Sequence, residues 1–210
     1  FISTDRLGMV VTFNAGAAAL LLVASAPVDS AFAVVSDARV RGSYDVDHAV
    51  PRSANGSDRV APAPVLGSGR TAVFLVHAAM RPVLEQQPRA ELDIRLERFT
   101  VPSVNVVGAV RGTDPALRDE YVLFSSHQDA NGVRATMEGD SVHAGADDNA
   151  SVTAAILAAA RAFVKEPGKR SVLFINHGSE ERGLLGSRYH AAHPVVPLPE
   201  IVAVLNGDMI

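Results

Sequence analysis

From residue 121 onward the chain repeats one pattern, in which short, continuously apolar runs alternate with polar loops and helical stretches. The runs are "YVLFSS" (121–126), "SVLFIN" (171–176) and "IVAVLN" (201–206). Between the first two lies "NASVTAAILAAARAFVKE", apolar on nearly all sides and long enough for a buried helix; "PGK" ends it. Between the second and third, "GLLGSRYHAAH" reads as a shorter helix and "PVVPLPE" as a breaker. Strands without alternation are buried on both faces, and strand–helix–strand order joins them in parallel. The expected class is therefore α/β, with a mainly parallel sheet covered by helices on both faces.

The preceding stretch makes that sheet mixed. "ELDIRLERF" (91–99) alternates cleanly, as a half-buried, antiparallel strand near an edge does, and "VNVVGAVRG" is a second strand ending in the turn "GTDPALRDE". "QQPRAEL" (86–92) reads as a linker, which divides the chain at residues 88 and 89. Residues 1–88 carry apolar runs ("ALLLVA", "AFAVVS", "TAVFLVHAAM") between turn-rich stretches, the pattern of a small α/β or mostly β module. His48, with Asp45 and Asp47, reads as a solvated loop residue. The segment 9–33 imitates a signal peptide by ending in Ala-x-Ala, which would start a mature chain near Val34. Asn14 interrupts its apolar stretch, and a helix-turn-strand with "AGAAALLLVAS" as strand is the preferred reading. The run is too short and broken for a membrane span. A first residue Phe1 and a last residue Ile210 directly after an apolar run are expected of a piece of a longer chain.

The chemistry lies in the residues just past the strands. His127 and Asp129 come after the first run; His177, Glu180 and Glu181 after the second; Asp208 after the third; Asp147 and Asp148 precede the long helix. In an open parallel sheet the loops beyond the strands' carboxyl ends share one edge, where ligands bind. Taken singly, each residue has an ordinary explanation, the aspartates as helix starters and the glutamates as an exposed turn with Arg182 as counter-ion. Together they place one imidazole and several carboxylates on one rim. With no cysteine in the chain, that donor set suits zinc or a similar divalent ion. Charged residues make up 20% and the net charge is −4, so nothing in the balance points to nucleic acid. His143, His190 and His193 acquire no role, and His177 is a candidate for lining the pocket.

The strings "SSHQD", "GADDNAS", "SEERGLLGS" and "LNGDMI" resemble, in order and spacing, the signature of metallopeptidase family 28, the co-catalytic zinc exopeptidases. The resemblance covers about residues 90–210, and residues 1–88 resemble more loosely part of a protease-associated (PA) domain. It implies a zinc exopeptidase, phosphorylase/hydrolase-like fold, here truncated. It implies that His127, Asp148 and Asp208 bind one zinc, that Asp148 and Glu181 bind a second, and that Asp129 orients His127. Glu180 would take the proton of a metal-bridging water that attacks a zinc-polarised carbonyl. The resemblance further implies a peptide substrate, most simply for an aminopeptidase, and export to the periplasm or the medium.

Two departures stand out. Ala130 occupies the position where the family's first motif commonly has a second His, which is expected to alter the pocket but not the metal. The final His ligand of the second zinc lies downstream of the Asp208 motif in the family, so that site is incomplete in this chain. The competing readings are a non-catalytic relative serving as a binding or receptor ectodomain, and an α/β nucleotide-binding domain. The second lacks a Gly-rich loop after the first buried strand and crowds acids where phosphates would sit.

Overall fold

The computed structural model describes residues 2–3, 19–40, 44–46, 72–86, 91, 95, 97, 99–136 and 138–210. The expectations for His48, for the 86–92 linker and for a strand over 91–99 fall largely or wholly outside them. The chain divides into two compact units, Phe1–Ser43 with Ala61–Phe99 and Arg134–Ser141, and Tyr44–Val60 with Thr100–Val133 and Val142–Ile210.

In the first unit β1 (Ile2–Ser3), β2 (Ala19–Val23) and β3 (Ala72–Val76) form a parallel sheet in that order. The apolar run at 19–23 is thus a strand, with Leu22 and Val23 buried. "AFAVVS" falls in a helix: α1 (Ala26–Ser30) opens with Pro27 in its first turn, and α2 (Phe32–Val40) comes next. Parallel strands with helices between β2 and β3 make this an α/β module. After β3, Asp29 accepts hydrogen bonds from His77 Nδ1 (3.0 Å) and the Ala78 N–H (2.8 Å), and α3 (Arg81–Gln86) comes next.

The second unit is built on β4 (Val106–Val110), β5 (Tyr121–His127), β8 (Ser171–His177) and β9 (Ile201–Asn206), in the order β4-β8-β5-β9. β5 pairs in parallel with β8 and β9, and β4 runs antiparallel to β8 at one edge. A small hairpin, β6 (Gly132–Val133) with β7 (Val142–His143), lies between β5 and α4 (Val152–Lys165). The shorter α5 (Leu185–Ala192) lies between β8 and β9. The sheet is mixed and mainly parallel, as its apolar runs require.

The core has two faces because strand side chains alternate. Val172 and Phe174 of β8 and Phe124 of β5 pack with Val152, Ile156 and Phe163 of α4. Phe124, Phe163 and Phe174 form an aromatic cluster with ring centroids 5.7–6.1 Å apart. On the other face, Leu123, Leu173 and Ile175 pack with Tyr121, Val196 and Ile201. β8 is buried at every position.

Two expectations of burial need correction. α4 buries only Val152 and Ile156, leaving Leu157 and Val164 at 51% and 67% exposure, because one sheet face covers one stripe of a helix. β9, expected as a buried strand, is mostly exposed, with Val204 at 60%, because it stands at the free edge of this sheet.

The strand order also locates a crevice. From β5 the chain passes through α4 to β8 on one side, then returns through α5 to β9 on the other side of β5. Right-handed crossovers in opposite directions place their helices on opposite faces, and the loops part beyond the end of β5.

Candidate functional site

His127 ends β5 at this point, with its side chain 4% exposed. The strand ends beside it are tied by polar pairs in register: Ser125 Oγ donates to Asn206 Oδ1 (2.7 Å) and Ser126 Oγ to Asn176 Oδ1 (2.6 Å). Thr153 Oγ1, in the first turn of α4, donates to the His127 carbonyl at 3.1 Å. The polar caps "SS" and "N" on otherwise apolar strands thus hold one another at the rim.

The His127 ring is oriented by its own loop. Its Nδ1–H donates to the Asp129 backbone carbonyl at 3.0 Å, which in the neutral imidazole puts the lone pair on Nε2. That Nε2 lies 3.1 Å from Asp148 Oδ1, 3.4 Å from Asp208 Oδ1 and 4.0 Å from Glu180 Oε2. Burial alone would depress the imidazole; the Asp129 carbonyl, the Glu180 charge and the Asp208 carboxylate outweigh it and hold its pKa above the ordinary value.

Asp148 reaches the cluster from a turn that departs from helical geometry before α4, at residues Ala146–Ser151. Asp148 (φ −104°, ψ 91°) and Asn149 (φ −137°, ψ 40°), joined by a cis peptide bond, are not helical. Asn149 is 1% exposed; its Nδ2 donates to the Gly207 carbonyl (3.1 Å) and its Oδ1 accepts from the Met209 N–H (3.3 Å).

Glu180 and Glu181 lie in a short 3-10 turn, Glu180–Arg182, entered through a left-handed Ser179 and left through a left-handed Gly183. The Asp129 carboxylate pins that turn, its Oδ1 accepting from the Glu180 N–H (2.9 Å) and its Oδ2 from the Glu181 N–H (3.2 Å). The same carboxylate stands 3.7 Å from His127 Nδ1, farther than the backbone carbonyl does. Burial, then the neighbouring Glu181, Asp208 and Asp129 charges, raise the Glu180 pKa against the opposing pull of His127. Arg182 lies over the Tyr44 ring at 5.1 Å, and among the described residues no ion pair joins it to either glutamate.

Ligand atoms of His127, Asp148 and Asp208 all lie within 4.8 Å of one another. Four donors about 2.0 Å from a zinc ion at tetrahedral angles stand roughly 3.3 Å apart, the range of the separations around Nε2. One bare imidazole nitrogen facing two carboxylates therefore fits a divalent ion. Glu181 lies outside this trio. It faces a cavity of about 270 Å³ whose lining includes Ala130, His143, Asp147 and Asp148. A second cavity, about 340 Å³, is lined by His127, Glu180 and Asp208 together with His177, Ser187 and His190. His177 and His190 are both buried, with ring centroids 5.8 Å apart. Among the described residues, His177 Nδ1 and His190 Nε2 have no hydrogen-bond partner. Burial, then the charges of His190 and His127, push the His177 imidazole down to about 4, and burial lowers that of His190. His193 stacks on Tyr189 at 4.5 Å, and His143 is exposed on the hairpin.

Sequence reasoning did not pick out three residues that shape this site. Asn149 spans the Asp208 segment, Thr153 holds the His127 carbonyl, and Asn105 staples the Gly178 loop to α5. Only Asn149 had a usable signal, an uncharged amide directly after an aspartate expected to bind metal.

Residues 105–210 match the model of peptidase family M28. Probable zinc metalloproteases of Pyrenophora teres f. teres (strain 0-1) and Pyrenophora tritici-repentis (strain Pt-1C-BFP) are 32% and 31% identical over 113 residues. These matches cover 53% of this chain and 23% and 25% of those proteins, so the chain spans about a quarter of the relatives' length. Among solved structures, the LapA aminopeptidase of Legionella pneumophila is 24% identical with a TM-score of 0.36, covering 50% of this chain and 25% of that one. A peptidase M28 precursor from Shewanella amazonensis SB2B is 21% identical with a TM-score of 0.42, covering 68% and 32%.

Proposed function

The chain belongs to peptidase family M28, and from that premise we propose that the protein is a zinc-dependent exopeptidase, acting as an aminopeptidase on peptide substrates. The observation that carries the reading is the meeting of His127 Nε2, Asp148 Oδ1 and Asp208 Oδ1 beside Glu180, delivered by four separate loops. His127, Asp148 and Asp208 would hold one zinc; Asp148 and Glu181, which share the smaller cavity, would contribute to a second. Zinc held there would supply Lewis acidity, to polarise a carbonyl and acidify water. Glu180 takes the proton of the attacking water and returns it to the leaving amine. Its carboxylate oxygen lies 4.0 Å from His127 Nε2, close enough to reach a nucleophile at the trio without belonging to it. Asp129 fixes the two peptide groups that aim Glu180 and Glu181.

The test uses the full-length protein. His127→Ala and Asp208→Ala are expected to lose zinc and aminoacyl-anilide hydrolysis together, whereas Glu180→Gln keeps the zinc and loses about 10²–10⁴-fold in kcat. Unchanged zinc content in both ligand variants would end the proposal. Export from the cell belongs to the same reading, and fractionation that finds the protein wholly in the cytoplasm would contradict it.

A further inference from the structure

Asn149 stands between two of the three candidate ligands. Its backbone continues directly from Asp148, and its side-chain amide bonds the peptide groups on either side of Asp208, through the Gly207 carbonyl at 3.1 Å and the Met209 N–H at 3.3 Å. The residue is 1% exposed, so its amide depends on these two partners and not on bulk water. The segment it holds is not one the chain adopts readily alone. Met209 has φ +61°, a left-handed conformation uncommon for residues with a side chain. Gly207 is pressed flush onto the first turn of α4, where an added Cβ would lie 2.5 Å from Val152 Cγ1. Asp208 itself is 47% exposed. Its segment is otherwise tied to the sheet by the Gly207 N–H, which donates to the Ser125 carbonyl at 3.0 Å on the side of Asp208 toward β9, so the Asn149 amide adds a hold at Met209 on its other side.

We propose that Asn149 is a positioning residue: its buried amide spans Gly207 and Met209 and thereby holds the Asp208 carboxylate within ligand distance of His127 and Asp148. One residue then couples two carboxylates 60 positions apart in the chain, so that the site is set before a metal arrives. This inference rests on the reading of His127, Asp148 and Asp208 as metal ligands.

The experiment measures zinc affinity of the full-length protein by competition with a chromophoric chelator, alongside thermal unfolding in excess chelator. Asn149→Ala is expected to weaken zinc binding about 10–100-fold, the usual effect of removing a residue that orients a ligand. Ser171→Ala is the matched control. Ser171 is also 1% exposed and also makes two hydrogen bonds, to the Gly112 N–H and the Arg118 carbonyl, at the opposite end of β8. It should lower the unfolding temperature and leave zinc affinity within about twofold, since distant sites act independently. Should Asn149→Ala not fold, Gly207→Ala displaces the same segment with Asn149 intact. It is expected to weaken zinc binding similarly and to be rescued by adding Val152→Ala, which removes the obstructing methyls. Zinc affinity unchanged in Asn149→Ala, equal losses in Ser171→Ala, or no rescue of Gly207→Ala overturns the positioning role. A wild-type protein that binds no zinc overturns instead the metal reading beneath it.

Discussion

Asp129 offers two acceptors to its surroundings, and they do different work. Its backbone carbonyl takes the His127 Nδ1–H at 3.0 Å, while its carboxylate takes the N–H groups of Glu180 and Glu181. Mutation separates the two, because Asp129→Ala deletes the carboxylate and keeps the carbonyl. We therefore expect Asp129→Ala to retain zinc affinity while kcat falls about 10–100-fold through a loosened Glu180 turn. Chelator competition and steady-state kinetics on one preparation decide it; a loss of zinc affinity as large as the loss of kcat would assign the carboxylate to His127. At this scale position in the sequence marked a rim of residues, His127, Asp129, Asp147, Asp148, His177, Glu180, Glu181 and Asp208, and the resemblance to family 28 singled out His127, Asp148 and Asp208 among them. The ligand atoms of those three lie within 4.8 Å of one another. Which atom of Asp129 faces which neighbour was not legible, since an aspartate two positions after a histidine can present either its carbonyl or its carboxylate.

Among the elements, the junction of β8 and α5 shows how a short motif becomes a rigid support. In "HGSEERGLLGS" the Gly186 N–H donates to the Gly178 carbonyl at 2.9 Å. Asn105 bridges the same two residues, donating to the Gly186 carbonyl (2.8 Å) and accepting from the Gly178 N–H (3.0 Å). A Cβ on Gly186 would lie 2.3 Å from the Gly178 carbonyl oxygen, and backbone cannot rotate away as a side chain can. Gly186→Ala is accordingly expected to cost about 1–3 kcal/mol of stability by overpacking. Urea unfolding measures it, and a change below about 0.5 kcal/mol, the ordinary size for an unconstrained surface site, would show that the junction yields. The elements themselves were largely visible as apolar runs and breakers: β5, β8, β9, α4 and α5 lie where the pattern placed them. Their exposure was not. α4 is apolar around most of its circumference yet meets one sheet face, and β9 reads as a core strand yet stands at an edge, because burial depends on neighbours that local sequence does not name.

On the scale of the whole second unit, the buried pair His177 and His190 ties stability to pH. His177 is pushed down to about 4 in the folded protein from an ordinary value near 6.5, and His190 is lowered in the same direction. The unfolded chain therefore binds protons that the native state refuses as pH falls through this range. Their contribution is intact above pH 6.5 and is lost progressively toward pH 4, by an amount on the order of a few kcal/mol. His177→Gln should flatten that loss. Urea unfolding of the metal-free protein at pH 7 and 4.5 compares the two, and equal losses would exclude His177 as the source. Taken by itself, the sequence determined the alternation of apolar strands and helices, hence a mainly parallel sheet, and the residue types that gather at its carboxyl edge. Periodicity and breaker residues are local properties that a linear chain displays in full. Only the tertiary structure decided the order β4-β8-β5-β9, and with it the crevice beyond β5 where His127, Asp148, Glu180 and Asp208 converge. It alone decided that Asn149 clasps both flanks of Asp208, since those contacts join residues far apart in the chain and exist only once the strands have paired.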